Sequence, residues 1–258
     1  MKKYQISVLL PTFNNEDYIK NTLETIKWAD ELIVVDSFST DRTVEICESY
    51  GAKILQNEYI NSSTQKNWAL QFIKNDWVFQ IDSDELLNGS ANLVIQNTIN
   101  NAPADVMCFK MERRNHILGK WVKYGGIWPD YQRRLFNKNY CRWNNKNVHS
   151  GIITDYKVGI LDTPLIHFGV KTIGQPLKNL NRYTRYEAEE MVKQNIKFSY
   201  LKFFINPIYV FFKKFIFLQG FRDGWRGVFL AFYTSFYVFI KHTKRLEIDI
   251  LERKKNPN

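Results

Sequence analysis

Trp77-Val78-Phe79-Gln80-Ile81-Asp82-Ser83-Asp84-Glu85 begins as an apolar run suited to a buried strand and ends in three carboxylates within four residues. Packing gives no reason for that cluster. The carboxyl edge of a parallel sheet is where α/β folds bind ligands, and hard oxygen donors at such an edge suit Mg²⁺ or Mn²⁺ carrying a diphosphate. A lone Asp-x-Asp is equally well explained as a strand running into a solvated turn, with Asp84 or Glu85 capping the next helix. The surroundings decide between the two.

Upstream, strand-like runs at Ile6–Leu10, Leu32–Val35, Lys53–Leu55 and Val78–Ile81 alternate with helical patterns at Asp17–Trp28, Arg42–Tyr50 and Ser63–Ile73. This order predicts βαβαβαβ with right-handed crossovers, hence an α/β fold built on a parallel sheet. Ser90, Leu93, Val94 and Ile99 predict a further helix, and Val106–Met111 a returning strand.

Polar residues follow the first two strands: Pro11-Thr12-Phe13-Asn14-Asn15-Glu16, then Asp36-Ser37-Phe38-Ser39-Thr40-Asp41-Arg42-Thr43. A base and ribose need in-plane hydrogen-bond partners, which Thr12, Glu16 and Asp36 offer from neighbouring loops. Asn15 and Asp41 suit helix caps, and Asp41 with Thr43 reads as mainly structural. No Gly-rich phosphate loop is present, so a diphosphate falls to a metal and basic side chains.

Composition bounds the remaining classes. The 258 residues suffice for a full core, and Cys47, Cys108 and Cys141 have neither metal-ligand spacing nor an even count, which fits a reducing compartment. The N-terminus shows no signal-peptide pattern, so a cytoplasmic protein is expected. The net charge of +10 is uneven: residues 1–192 hold 23 Lys/Arg against 22 Asp/Glu, and residues 193–258 hold 13 against 4. The near-neutral front half argues against a nucleic-acid partner. The same tail holds 17 of the 40 aromatics, between Phe198 and Phe239.

Pro11-Thr12-Phe13-Asn14-Asn15-Glu16, Val34-Val35-Asp36 with Ser39-Thr40-Asp41-Arg42-Thr43, and Asp82-Ser83-Asp84-Glu85 together resemble the inverting family 2 glycosyltransferases of GT-A fold. The stretch Gly119 to Phe136, with Pro129-Asp130 and Arg134-Leu135-Phe136, followed by Val148-His149, is similar to the lipopolysaccharide inner-core β-1,4-glucosyltransferase subgroup. The resemblance covers roughly residues 5 to 245. It implies a GT-A, Rossmann-like, mostly parallel sheet with flanking helices. It also implies a UDP-sugar donor whose uridine is held by the first loop (Pro11, Thr12, Asn14, Glu16) and Asp36, with Asp82 and Ser83 beside the diphosphate. Asp82 and Asp84 would bracket Mn²⁺ or Mg²⁺, and Asp130 falls where the family places its catalytic base.

The chemistry stands on its own as well. Inversion at an anomeric carbon is one in-line displacement, needing one base for the acceptor hydroxyl and one cation for the leaving diphosphate. Asp130 supplies the first, with His149 as alternative base or acceptor-positioning group. Of the doublets Arg113-Arg114 and Arg133-Arg134, alternation along a strand turns one member of each toward a phosphate, here assigned to Arg114 and Arg134. Gln132-Arg133-Arg134-Leu135-Phe136 lacks the Gln-x-x-Arg-Trp of processive relatives, which favours single-sugar transfer.

In the tail, the apolar run Gly227–Ile240 is too short to cross a bilayer and Phe203–Leu218 is broken by Lys213-Lys214. An in-plane amphipathic hairpin is expected, with Lys202, Lys213, Lys214, Arg222, Arg226, Lys241, Lys244 and Arg245 toward anionic headgroups. A cap on the catalytic domain or a homodimer contact is the other use of such a stripe. Three regions follow: a nucleotide-sugar half at 1–110, an acceptor half at 111–192, and a basic aromatic tail at 193–258. The expected function is transfer of one sugar, glucose from UDP-glucose, to a lipid-linked saccharide at the inner face of the cytoplasmic membrane. A catalytically silent protein binding glycans or nucleotide sugars on the same fold is the alternative.

Overall fold

A computed structural model describes residues 4–144 and 150–255, which gather into two compact units. The first comprises residues 1–114 and 130–167, and the second 115–129 and 168–258. This division follows contacts, whereas the boundary at 192/193 follows charge and aromatic content.

The first unit opens with β1 (Ile6–Thr12), α1 (Ile19–Ile26), β2 (Glu31–Asp36), α2 (Thr43–Ser49), β3 (Lys53–Gln56), α3 (Ser62–Ala69) and β4 (Trp77–Gln80). The strands lie parallel in the order β3-β2-β1-β4, as the alternating pattern predicts. Both faces are covered, so the strands read as continuous apolar runs. Ile6, Val8, Leu10, Trp77 and Phe79 pack to one side with Ile19 and Leu23 of α1. Leu9, Val78, Ile33 and Val35 pack to the other with Ala69 of α3. The register aligns Thr12 with Asp36 and Asp36 with Gln56, so the carboxyl ends of the strands form one edge.

Glu85 opens a short strand, β5 (Glu85–Leu87), instead of capping a helix, and α4 (Ala91–Asn100) follows. The chain then turns antiparallel: β6 (Val106–Ile117) and, after the two-residue β7 (Lys120–Trp121), β8 (Tyr131–Asn137), which pairs with both β4 and β6. A ribbon of β9 (Arg142–Trp143) and β10 (Ile152–Ile153) follows, then β11 (Lys157–Ile160) parallel to β6, and β12 (Leu165–Val170), whose His167 pairs with Glu85. Antiparallel β8 matters for function, because it lays Arg134 beside the end of β4.

The second unit holds α5 (Gly174–Lys193), α6 (Tyr200–Phe212) and α7 (Trp225–Lys255). Helices α6 and α7 form the expected hairpin, with Phe203 against Phe239 and Phe211 against Phe232 at 5.0 and 4.6 Å between ring centres. The apolar run Gly227–Ile240 lies in the N-terminal half of a 31-residue helix. Gly227 is required at its start: a side-chain carbon there would stand 1.7 Å from the Gly220 carbonyl oxygen. The hairpin is tied to the loop before β8 by Asp223, which accepts from the Lys123 and Tyr124 amides, and by Arg226, which donates to the Ile117 and Leu118 carbonyls. Among the described residues no helix is long and apolar enough to cross a membrane.

Candidate active site

The loop after β1 and the loop after β2 are laced together by their own polar side chains. Asn14 accepts from the Thr40 amide at 2.8 Å while its own amide donates to Ser39 Oγ at 2.9 Å. Glu16 accepts from the Arg42 amide, and Asp41 accepts from the amides of Glu16 and Thr43. Asp36 is fully buried, and both its oxygens accept from Ser39, one from the amide at 2.9 Å and one from the hydroxyl at 2.5 Å. Thr12, Asn14, Glu16 and Asp36 are thus brought to one sheet edge, where they shape the loops. Pro11, Thr12 and Ser83 line a cleft of about 240 Å³ there, with Phe13, Tyr59 and Gln65.

Beside it lies a second cleft of about 350 Å³ lined by Lys66, Asp82, Arg113, Tyr131 and Arg134. Asp82 and Ser62 border both clefts. The acidic loop is held from beneath by Thr22 of α1, whose hydroxyl donates to the Ser83 carbonyl at 2.9 Å. Glu85 is completely buried and accepts from Arg134 at 2.5 Å and from the Asp82 amide at 3.0 Å, with Arg113 at 3.7 Å. Arg134 also bonds Asp82 at 2.9 Å and the side-chain oxygen of Gln80. The Lys66 amine stands 3.7 Å from Asp82.

These contacts set the charges. Burial works against the ionised form of Asp82, but Lys66 and Arg134 outweigh it and hold the carboxyl far below the usual range. Burial pushes Glu85 up, against the pull of Arg134, and pushes the buried Lys66 amine down, only partly offset by Asp82. Arg134 is raised: burial alone would lower it, and Glu85 with Asp82 prevail.

The network continues to Asp130, the expected catalytic base. Asp130 receives both Arg113 Nε, at 2.9 Å, and a terminal guanidinium nitrogen, at 2.8 Å, on one oxygen, and Gln132 at 2.6 Å on the other. A chain of alternating charge therefore runs Asp130, Arg113, Glu85, Arg134, Asp82. From the first arginine pair it is Arg113 that enters the cleft, while Arg114 bonds Glu112 at 2.8 Å. From the second pair Arg134 is the one buried among carboxylates, and Arg133 donates to the Ile152 carbonyl. His149 lies outside the described residues.

Among the described residues no three carboxylate, imidazole or thiolate side chains converge into a metal cage. Asp84 does have a second donor at hand: its Oδ2 lies 3.6 Å from Nε2 of His167, both partly exposed. A carboxylate and an imidazole, completed by phosphate oxygens and water, suit a dication that arrives with a nucleotide.

The description Glycosyl transferase family 2 matches residues 7–157. The chain belongs to that family. A lipopolysaccharide core biosynthesis glycosyltransferase, LpsC of Rhizobium meliloti, is 24% identical over 254 residues, covering 93% of this chain and 94% of the relative. An uncharacterized glycosyltransferase of Rickettsia bellii is 28% identical over 95% of this chain and 87% of its own length. Glucosyl-3-phosphoglycerate synthase from Mycobacterium tuberculosis, solved with Mn²⁺, UDP and glucosyl-3-phosphoglycerate, overlaps 43% of this chain and 44% of its own at 25% identity and a TM-score of 0.38. That overlap is too partial to carry any residue across.

Within this family 2 chain, sequence reasoning passed over Lys66, His167, Gln65 and the ring faces of Phe13 and Tyr59. Lys66 and Gln65 left one signal: α3 reads Ser-Ser-Thr-Gln-Lys-Asn-Trp-Ala, and a helix so polar that still buries Ser63, Gln65 and Lys66 must be facing other polar groups. His167 had no signal beyond its place in a short apolar strand.

Proposed function

We propose that this family 2 glycosyltransferase moves one glucose from UDP-glucose, with inversion, onto a lipid-linked saccharide of the lipopolysaccharide core type. The observation that supports the reading is the charge chain that links Asp82 to Asp130 through Arg134, buried Glu85 and Arg113. The full-length similarity to a lipopolysaccharide core glycosyltransferase supports the acceptor class. Asp84 and His167, with Asp82 alongside, would hold Mn²⁺ or Mg²⁺, which when bound neutralises the leaving diphosphate.

The remaining work falls to the chain itself. Lys66, whose amine lies 3.7 Å from Asp82 in the same cleft, would meet diphosphate oxygens, while Arg134 holds Asp82 in place. Asp130, oriented by Arg113 and Gln132, accepts the proton of the attacking hydroxyl as the new glycosidic bond forms and the bond to diphosphate breaks. Attachment to the inner face of the cytoplasmic membrane rests on the hairpin of the second unit. Leu201, Phe204, Ile205, Ile208 and Phe212 of α6 and Trp225, Phe232 and Phe236 of α7 are exposed at helical spacing, with Lys202 and Lys213 also exposed.

The test is a donor screen: UDP release from UDP-glucose and other UDP-sugars, with Mn²⁺ or Mg²⁺ and a lipid-extracted acceptor pool. Acceptor-dependent release with a clear preference for one UDP-sugar supports the reading. UDP-sugar binding without turnover on any acceptor would leave a silent binding protein.

A further inference from the structure

Gln65 is 2% exposed, yet it lines the cleft between the first two strand-end loops. Its Nε2 donates to Ser37 Oγ at 2.8 Å, and its Oε1 has no partner among the described residues. A buried carbonyl oxygen without a donor is a standing cost that a ligand N–H relieves. Asp36, the carboxylate expected to face a base, has both oxygens occupied by Ser39. Phe13 and Tyr59, 54% and 56% exposed, line the same cleft and offer faces for a flat ring. Ser37, having accepted from Gln65, keeps its own hydroxyl proton to give.

An acceptor beside a donor complements the imide edge of a pyrimidine, where N–H adjoins C=O. We propose that Gln65 reads the donor's base, its Oε1 accepting from N3–H of uracil while Ser37 donates to the neighbouring carbonyl. The inference rests on the reading of the donor as a uridine diphosphate sugar. With the ribose held in place, cytosine would set its bare N3 against Oε1, acceptor against acceptor. Rejection then comes from a buried oxygen left unpaired, which discriminates more sharply than shape alone.

Calorimetric binding of UDP, N3-methyl-UDP and CDP to the full chain tests this. Wild type should bind UDP about tenfold or more tightly than either of the others. Gln65→Ala, which also makes room for the methyl group, should lose about tenfold for UDP and bind N3-methyl-UDP equally well. Ser37→Ala should lose less and keep the N3-methyl penalty. Circular dichroism and thermal midpoints check the fold of both variants, and if Gln65→Ala does not fold the wild-type comparison still decides. Equal binding of UDP and N3-methyl-UDP by wild type overturns the inference, as does a penalty that persists in Gln65→Ala. A preference for CDP, which the amide turned over would give, overturns it too. If wild type binds none of the three nucleotides, the uridine donor reading fails and takes this inference with it.

Discussion

The two units use charge and hydrophobicity in opposite ways. In the sheet unit Arg134, Lys66 and Glu85 are buried among carboxylates and apolar strands, and core rings such as Phe79 and Phe136 are fully covered. In the helical unit the aromatics of α6 and α7 stand outside, while much of the positive charge turns inward. Lys214 donates to the Gly125 carbonyl, Arg226 to Ile117 and Leu118, and Arg245 to Ile196. Lys241 pairs with Glu187 and Lys244 with Asn181. With Arg222, which donates to Gln219, six of the eight cations expected to face headgroups are engaged within their own unit. On the proposed reading the first arrangement serves a charged donor and the second an apolar surface.

The contrast breaks first at the acidic loop. Asp84→Asn should lower turnover about 10³-fold or more, because an amide is a poor ligand for a hard dication and several kcal/mol of transition-state stabilisation are at stake. His167→Ala should raise the metal concentration needed for half-maximal rate while leaving the fold intact. Initial rates titrated with Mn²⁺ after chelation measure both. Full activity in excess EDTA would remove the metal assignment and leave the sheet untouched.

Asp130→Asn should cost about 10²- to 10⁴-fold in kcat with UDP affinity changed no more than a fewfold, the range of a lost general base. Arg113 holds this carboxylate, so Arg113→Lys should reproduce part of the loss without touching the reacting atoms. Steady-state kinetics beside UDP binding separates the two roles. Parallel losses of binding and turnover in Asp130→Asn would reduce it to a structural turn residue.

How much of this was legible beforehand follows from the physics of each signal. The parallel strands were readable because burial on both faces writes continuous apolar runs, and the end of β4 because carboxylates interrupt one. The partners of those carboxylates were not. Arg134 was read as a phosphate ligand, and it is bonded to Asp82 and Glu85; the crossing of antiparallel β8 over β4 brings them together across 52 and 49 positions. Arg113 and Arg114 were indistinguishable, since strand alternation says that they diverge but not which one faces the cleft. In the tail, charge counting found +9 but not its direction, because the inward bonds of Arg226 and Lys214 end on backbone carbonyls, which composition cannot show.

Stability sharpens the comparison next. Arg134→Gln leaves Glu85 buried without its principal counter-charge and removes one of the two cations beside the partly exposed Asp82, and the cost should be about 3–5 kcal/mol by urea denaturation. A loss below about 1 kcal/mol, within the range of a surface pair, would mean that the cluster is wetter than its burial indicates. The pH dependence has a definite sign. Asp82 has its folded pKa lowered, so its contribution is present above the unfolded value of about 3.9 and is lost as pH falls toward the folded one. Thermal midpoints of wild type and Asp82→Asn should therefore converge in strong acid, separate as pH rises toward about 4 and keep a constant gap above it. Glu85, raised by burial, works in the opposite direction, and the comparison removes the burial part of its effect but not the part that the Asp82 charge adds. A gap that widens toward acid would reverse the assignment.

The smallest effects belong to the hairpin, and they tell apolar insertion from charge attraction. Phe204→Ser, Phe232→Ser and Phe236→Ser change rings already 64%, 60% and 49% exposed, so the cost to folding should be modest and come mainly from the lost Phe211–Phe232 contact. If those rings enter a bilayer interface, each contributes up to about 1.5–3 kcal/mol, and the triple variant should leave sedimenting vesicles almost entirely. Lys202→Gln with Lys213→Gln removes two cations whose side chains remain exposed, and should weaken binding to anionic vesicles only a fewfold each. High salt should do no more than this pair, because screening acts on exposed charges and leaves the inward-bonded ones alone. A steep salt dependence with little effect from the phenylalanines would restore the electrostatic anchor that composition suggested. A change from dimer to monomer on ultracentrifugation of the triple variant, with vesicle binding absent in wild type, would assign the stripe to a second copy of the chain instead.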